Sequence, residues 1–341
     1  ATMLHAVAGG LTSFAIFRAI LGVSEAGNWP GATKANAEWF PIKERALAQG
    51  IFNSGAAIGG IISAPIIAYL FVFLDSWKAT FISLGALGLL WLVPWLIIYK
   101  SGPDKHPWVS EAEREYILTG QRNAETNEVA TYAPGSAEIL TRKESWGVIL
   151  ASFFSDPIWW LFVGWLPLYL SETYGFGVVE IGKYAWVPYV GAMFGAWFGG
   201  LLAQNRISAG WTVNKVRKFV ISLGGLIMLV SLLMTMKAAT PMVAVLLMAA
   251  ILFGFQTAVG NIQTLPSDFY SGKSVGSLAG YSGTAAKLAV VGLNFLIPVI
   301  TVNSYAPAFA VGAGLAIMSV LSVWVLCGHI QPLSPRAAKS V

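Results

Sequence analysis

The sequence predicts an all-α, polytopic membrane protein, and three observations carry that prediction. Of the 341 residues, 56% are hydrophobic and only 11% are charged, with a mean hydropathy of +0.67; soluble domains run at roughly 45–50% apolar and about 25% charged. Apolar stretches recur along the whole length, each able to cross about 30 Å of hydrocarbon at about 1.5 Å rise per residue. They lack the alternation of a membrane β-strand, which needs only about 9–11 residues. Helices remain as the way to satisfy the backbone inside lipid.

Taken in order, the opening residues ATMLHAVAGG read as the tail of an apolar helix, with no cationic region or cleavage site of a signal peptide. The chain is therefore expected to lack an N-terminal portion. Spans follow at about 11–39, 47–72, 78–99, 146–170, 180–204, 217–236, 240–264, 274–300 and 305–328, assigned by length and hydropathy. The one long polar segment, 101–145, contains SEAEREY at 110–116 and Pro134-Gly135-Ser136, so it is expected to be a surface loop with one amphipathic turn. It divides the chain into 1–100, the remainder of an N-terminal helical half; 101–145, a central loop; 146–330, a six-helix half; and 331–341, a tail. Four crossings before the loop, counting the opening stub, and six after it suit two six-helix halves. The missing part would be about the first two and a half of twelve transmembrane helices.

Orientation follows from basic residues. One side holds Lys43, Arg45, Lys100, Lys105, Arg114, Arg122, Arg142, Lys143, Arg206, Lys215, Arg217, Lys218 and Lys273, with Arg336 and Lys339 in the tail; the other holds Lys78, Lys183 and Lys237. The first side is expected to be cytoplasmic. Topology thereby accounts for the net charge of +5, and no nucleic-acid partner is implied. The single Cys327 excludes a disulfide framework and a thiolate metal cluster. No cofactor or metal is called for. His5, His106 and His329 are expected at the surface.

A charge at the bilayer centre costs about 2.5–3.5 kcal/mol on insertion scales, so each is a candidate for function. Arg18 and Glu25 share one predicted helix seven residues apart, on nearly the same face and about 10 Å apart along the axis. They are expected to border a cavity, with Arg18 binding a carboxylate through its planar fork and Glu25 exchanging a proton. The alternative is a structural pair. Asn28 lies one turn on, before Pro30, in a segment that reads equally as a kinked helix packed through Gly27 and Gly31. Lys34 and Glu38 form an i, i+4 helix pair with no substrate role. Asp156 precedes Pro157 and serves either to bridge a kink or as a proton or substrate site. Trp159 and Trp160 either stack on a sugar-like ring or pack. Asn261 and Gln263 either donate hydrogen bonds to substrate hydroxyls or serve as interhelical glue. Lys287, about 20 Å into its helix, either holds an anion or pairs with Asp156 or Glu25.

Three stretches carry a family resemblance: RAILGVSEAGNWPGATKANAEWFPIKERALAQGIFNSG at 18–55, DPIWWLFVGWLPLYL at 156–170 and NIQTLPSDFYSGKSVGSLAG at 261–280. The chain resembles the major facilitator superfamily, specifically the anion:cation symporter family of bacterial hexuronate, galactonate and glucarate transporters. The resemblance implies two six-helix halves about a central cavity that opens alternately to either side. It implies that Glu25 is the protonatable acid of the fourth helix, Arg18 its partner, and Asn53 and Ser54 cavity-facing groups of the fifth helix. Gly260 to Gln263 fall at a tenth-helix substrate contact. Ala56 stands where galactonate carriers have a glutamine, and Lys287 interrupts a segment usually small and neutral. Gln204 and Asn205 lie near where a gating aspartate is usual.

The resemblance thus implies a proton symporter of a small organic anion such as a hexuronate or aldonate, monomeric and multi-pass in a bacterial inner membrane. Sodium coupling to another carboxylate and a non-transporting anion receptor are the other readings. An enzyme is not expected, since no HExxH, GxSxG or Walker-type segment occurs.

Overall fold

A computed structural model describes residues 1–100, 102–122 and 131–335. Among them no β-strand forms. A 3-10 turn, Thr2–Val7, precedes α1 (Leu11–Glu25), α2 (Asn28–Trp39), α3 (Arg45–Leu74) and α4 (Trp77–Ile98); α5 (Glu111–Thr119) and α6 (Ser136–Thr141) lie in the central segment. Then come α7 (Lys143–Tyr174), α8 (Val178–Tyr184), α9 (Val187–Ser208), α10 (Val213–Thr235), α11 (Pro241–Phe269), α12 (Lys273–Ile300) and α13 (Ala306–Leu326). Ser101, Arg336 and Lys339 lie outside the described residues.

Eight stretches among the described residues are long and apolar enough to cross a bilayer, and the chain is a multi-pass membrane protein. The expected span at 11–39 is interrupted. Ala26 and Gly27 keep right-handed helical angles, so the path continues, but neither α1 nor α2 alone has the length of a span. Pro30 has no N–H to donate and its ring crowds the carbonyl four residues back, and Gly27 is a poor helix former. The opening residues form a 3-10 turn rather than the end of an α-helix. The central segment holds more structure than one turn: Ser110 caps α5 by accepting from Glu113 N at 3.2 Å.

Helix α11 forms the centre and is buried at nearly every position from Ile251 to Phe269. It packs chiefly on α9 and α10, and also on α7 and α3. Small residues make this possible, as in other membrane helix pairs. A Cβ on Gly195 of α9 would collide with the carbonyl of Phe253 in α11, and one on Gly50 of α3 with the carbonyl of Ala196 in α9. The second contact joins α1–α4 to the later helices. By contrast, Thr80 is the only buried residue of α4.

The central segment gathers with the α2–α3, α9–α10 and α11–α12 junctions at one end, here the loop end. Two arginines counted above as loop charges are buried there. Arg217 is fully buried and grips Asp268 through Nε at 2.8 Å and Nη2 at 3.4 Å. Its Nη1 donates to Asn261 Oδ1 at 3.1 Å and its Nη2 to Ile42 O at 3.5 Å. Arg45 donates to Ser267 O at 3.1 Å, Ala37 O at 2.9 Å and Phe40 O at 3.3 Å. Each arginine thus holds a carbonyl across the boundary between the two helical blocks, closing the loop end.

Arg142, also buried, donates to Ser334 O at 2.7 Å and ties the start of α7 to the tail. Burial pushes the Tyr270 phenol up, and its hydroxyl lies 2.8 Å from Ser145 Oγ. Burial likewise pushes the Cys327 thiol up to about 12. Two histidines expected at the surface are inside. His5 stacks on Phe81 at 5.1 Å, and His106 bonds to the carbonyl of Ile98 at 2.8 Å against the edges of Trp39 and Trp108. Aromatic neighbours and one carbonyl suffice to shelter an imidazole. His329 is exposed.

Candidate functional site: a polar cavity between the two helical blocks

Asp156, Gln256 and Lys287 each lie 13 or 14 residues from the loop end of α7, α11 and α12, a depth of roughly 20 Å by helical rise. There Lys287 Nζ donates to Asp156 Oδ2 at 2.6 Å and sits 4.8 Å from the centre of the Trp160 ring, in the range of a cation–π contact. Lys287 keeps 52% of its side chain exposed and Asp156 23%. The carboxylate therefore reaches across to α12 rather than folding back to bridge the Pro157 kink, and α7 runs on through Pro157 and Pro167.

Two adjoining cavities, of ≈ 60 Å³ and ≈ 80 Å³, open around this pair and share Trp29, Asp156, Val259, Gln263 and Lys287. Their walls come from α2, α3, α7, α11 and α12, so the space lies between the blocks. Trp159 is part of the wall, stacked on Phe255 at 5.7 Å and edge-on to Tyr189 at 5.9 Å. Below the ion pair runs a chain of amides: Asn36 Nδ2 donates to Gln49 Oε1 at 2.7 Å, and Gln49 Nε2 to Gln263 Oε1 at 3.0 Å. Asn53 Nδ2 gives the same oxygen a second bond at 2.7 Å. Gln263 thereby joins α11 to α3. A contacting cation and anion, aromatic faces and amides suit an organic anion with hydroxyl groups.

Of the residues singled out in the sequence, Asn53, Asp156, Trp159, Trp160, Gln263 and Lys287 all line the larger cavity. The others lie elsewhere. Ser54 is buried and bonds back to Ile51 O at 2.7 Å. Asn261 accepts from Arg217 and donates to Gly199 O and Thr257 O, both at 3.4 Å, so it is interhelical glue. Asn28, Arg18 and Glu25 are exposed and are not among the residues lining these two cavities. Arg18 and Glu25 do not pair with each other. The expectation that they border a cavity is thus not met in this chain: the face of α1 that carries them is uncovered.

Gln49 and Gln256 were missed. Their signal was spacing: Gln49 and Asn53 are i, i+4, and Gln256 and Gln263 are i, i+7, in otherwise apolar helices. Asp268, partner of the buried arginine, was missed because it stands at a helix end, where an acid looks solvated.

Comparison with known proteins accords with this architecture. The family model described as Major Facilitator Superfamily matches residues 1–293. The hexuronate transporter of Escherichia coli (strain K12) is 34% identical over 326 residues, covering 94% of this chain and 74% of its own. The galacturonate transporter of Dickeya chrysanthemi is 36% identical over 233 residues, or 66% of this chain and 64% of that one. Among solved structures, the human organic anion transporter MFSD10 gives a TM-score of 0.65 at 14% identity, covering 94% of this chain and 73% of that chain. The proton:xylose symporter XylE gives 0.64 at 15%, covering 88% and 67%; these two speak to fold alone. With helices crossing the bilayer, a polar cavity between two blocks and a family match over most of its length, the chain belongs to the major facilitator superfamily, alongside transporters of sugar acids rather than enzymes.

Proposed function

We propose that this protein carries a small organic anion of the sugar-acid type, a hexuronate or aldonate, into a bacterial cell by proton symport with alternating access. The observation that carries the reading is the Lys287–Asp156 pair in a polar cavity between the blocks, because an ionisable pair at that depth is costly without a task. Residues 1–100 and 146–330 act as the two moving halves, 101–145 as the connecting cytoplasmic loop and 331–341 as a cytoplasmic tail. The protein works as a monomer in the inner membrane. The loop end, rich in Lys43, Lys105, Lys215 and Lys273, faces the cytoplasm.

Lys287 holds the substrate carboxylate, displacing Asp156, which takes a proton as it loses its ammonium partner. The site then gains one anion and one proton and stays neutral, so the loaded carrier switches faces without moving net charge. Trp159 and Trp160 flank the substrate, and Asn53 and Gln263 supply amides. Arg18 and Glu25, with Asn28, border neither cavity in this chain and act from the α1–α2 side, Glu25 as the group through which that one proton passes. The relatives' names support the substrate class, hexuronate in one case and galacturonate in the other.

The test is uptake of labelled D-glucuronate into proteoliposomes. Accumulation should need an inward proton gradient, Lys287→Ala should raise KM, and Asp156→Asn should uncouple uptake from pH. Accumulation indifferent to the gradient, and unchanged by Asp156→Asn and Glu25→Gln, would end the proposal.

A further inference from the structure

Gln256 is 4% exposed on the central helix α11 and lines the larger cavity with Lys287, Asp156 and Trp160. Its Oε1 is fully enclosed and accepts no hydrogen bond, which leaves the desolvation of a strong acceptor uncompensated. Three other side-chain atoms among the described residues share that condition, on His5, Trp39 and Arg142, and none of those residues lines either cavity. Gln263, seven residues on, shows the contrast. It lies on nearly the same face about 10 Å along the axis, and its Oε1 is filled by Asn53 and Gln49. One amide is used to join helices; the other belongs to a residue that lines the cavity and leaves its acceptor enclosed and unfilled, within a rotation of the side-chain amide from the cavity.

We propose that Gln256 Oε1 accepts a hydrogen bond from a substrate hydroxyl, which makes the cavity selective for polyhydroxylated carboxylates over hydroxyl-free acids of the same charge. The inference rests on the reading of the cavity as an anion site. An acceptor needs a donor, and an ionised carboxylate or sulfonate has none to offer. The acid group therefore goes to Lys287 and a hydroxyl to Gln256, which sets the direction in which the substrate lies. Asp156 does not compete for Gln256, being an acceptor held by Lys287 at 2.6 Å. The other charged groups on helices packed against α7 and α12 are engaged or distant. Lys34 pairs with Glu38, Glu138 with Arg142 and Asp268 with Arg217, while Glu180 accepts from Gly177 N. Lys183 on α8 and Lys273 on α12 lie at the ends of their helices, and α13 carries no charge.

The experiment compares D-glucuronate with hexanoate, which has six carbons and one charge but no hydroxyl, by equilibrium binding to the purified chain in lipid nanodiscs. Gln256→Met keeps the length of the side chain and removes its polar atoms. It should weaken glucuronate about tenfold, the scale of one hydrogen bond to a site built for it, and leave hexanoate within twofold. Glucuronate affinity within twofold of the unmodified chain would overturn the inference, the acceptor then serving only a buried water. Equal losses for both probes would also overturn it, as general damage. Lys287→Ala separates the two levels, since it should weaken both probes. If it weakens neither, or if the unmodified chain binds neither, the anion-site reading falls first and the hydroxyl contact with it.

Discussion

Removing the carboxylate of Asp268 should cost more than any other single truncation at the loop end. The side chains of Arg217 and Asp268 are 0% and 2% exposed, so water does not screen the pair. Asp268→Ala removes two of the four contacts of the guanidinium, at 2.8 and 3.4 Å, and leaves Asn261 Oδ1 at 3.1 Å and Ile42 O at 3.5 Å. The cation then stays buried on neutral acceptors, beside Arg45, whose own guanidinium is held by Ser267 O, one residue away. Breaking such a pair costs about 3–5 kcal/mol, whereas replacing both members with apolar residues is often close to neutral. SDS-titration unfolding in mixed micelles measures both quantities. Asp268→Ala should destabilise by about 3–5 kcal/mol, and Arg217→Met with Asp268→Leu should recover most of the loss. A loss below about 1 kcal/mol, the scale of an exposed pair, would refute the reasoning, and so would a double variant as unstable as the sum of the singles.

Further outcomes follow from the same geometry. Burial lifts the Cys327 thiol from 9.0 to about 12, so the reactive thiolate is scarce at pH 8. N-ethylmaleimide should label the protein only after SDS unfolding, and rapid labelling of folded protein would contradict this. Because the folded state holds that proton more tightly, its contribution to stability is intact below pH 9 and lost as pH rises from 9 towards 12. Gly195→Leu should abolish a folded, monodisperse peak in size-exclusion chromatography, since even a Cβ there meets the carbonyl of Phe253 and overpacking costs about 1–3 kcal/mol or more. Gly164→Ala, with open space at its Cβ, should keep the peak.

The fold was legible because hydropathy over about twenty residues reports a bilayer crossing whatever the neighbours do. Most predicted spans therefore coincide with helices to within a few residues. The break between α1 and α2 was half visible, since Gly27 and Pro30 were noted as a kink. The candidate site was legible where a residue type was out of place: Asp156 and Lys287 stand out as charges in hydrocarbon, and the structure joins them at 2.6 Å. What stayed hidden depends on partners far off in the chain. Nothing local in Arg217 says that Asp268, 51 residues later, encloses it, and Asn261 and Gln263, two residues apart, point to different tasks because α11 turns about 200° between them. Arg18 and Glu25 illustrate the converse: an argument from helical face is sound about direction, yet cannot say what covers the face.

The two inter-helix ion pairs of the second block differ in one physical respect, their exposure, and that difference suits them to different parts in the proposed mechanism. Arg217–Asp268 is almost wholly buried, held by further acceptors and expensive to break, as suits a contact that closes the loop end in this conformation. Asp156–Lys287 has a comparable closest approach, 2.6 Å against 2.8 Å, but one member is 52% exposed, and water entering the cavity would screen it and bring its coupling towards the roughly 0.2–1 kcal/mol of exposed pairs. In the proposed mechanism an incoming carboxylate then has little to displace. Double-mutant cycles at the two sites should therefore give unequal couplings, several-fold larger for Arg217–Asp268. Similar values would mean that water does not reach Lys287, and a substrate would then have no route by which to take Asp156's place.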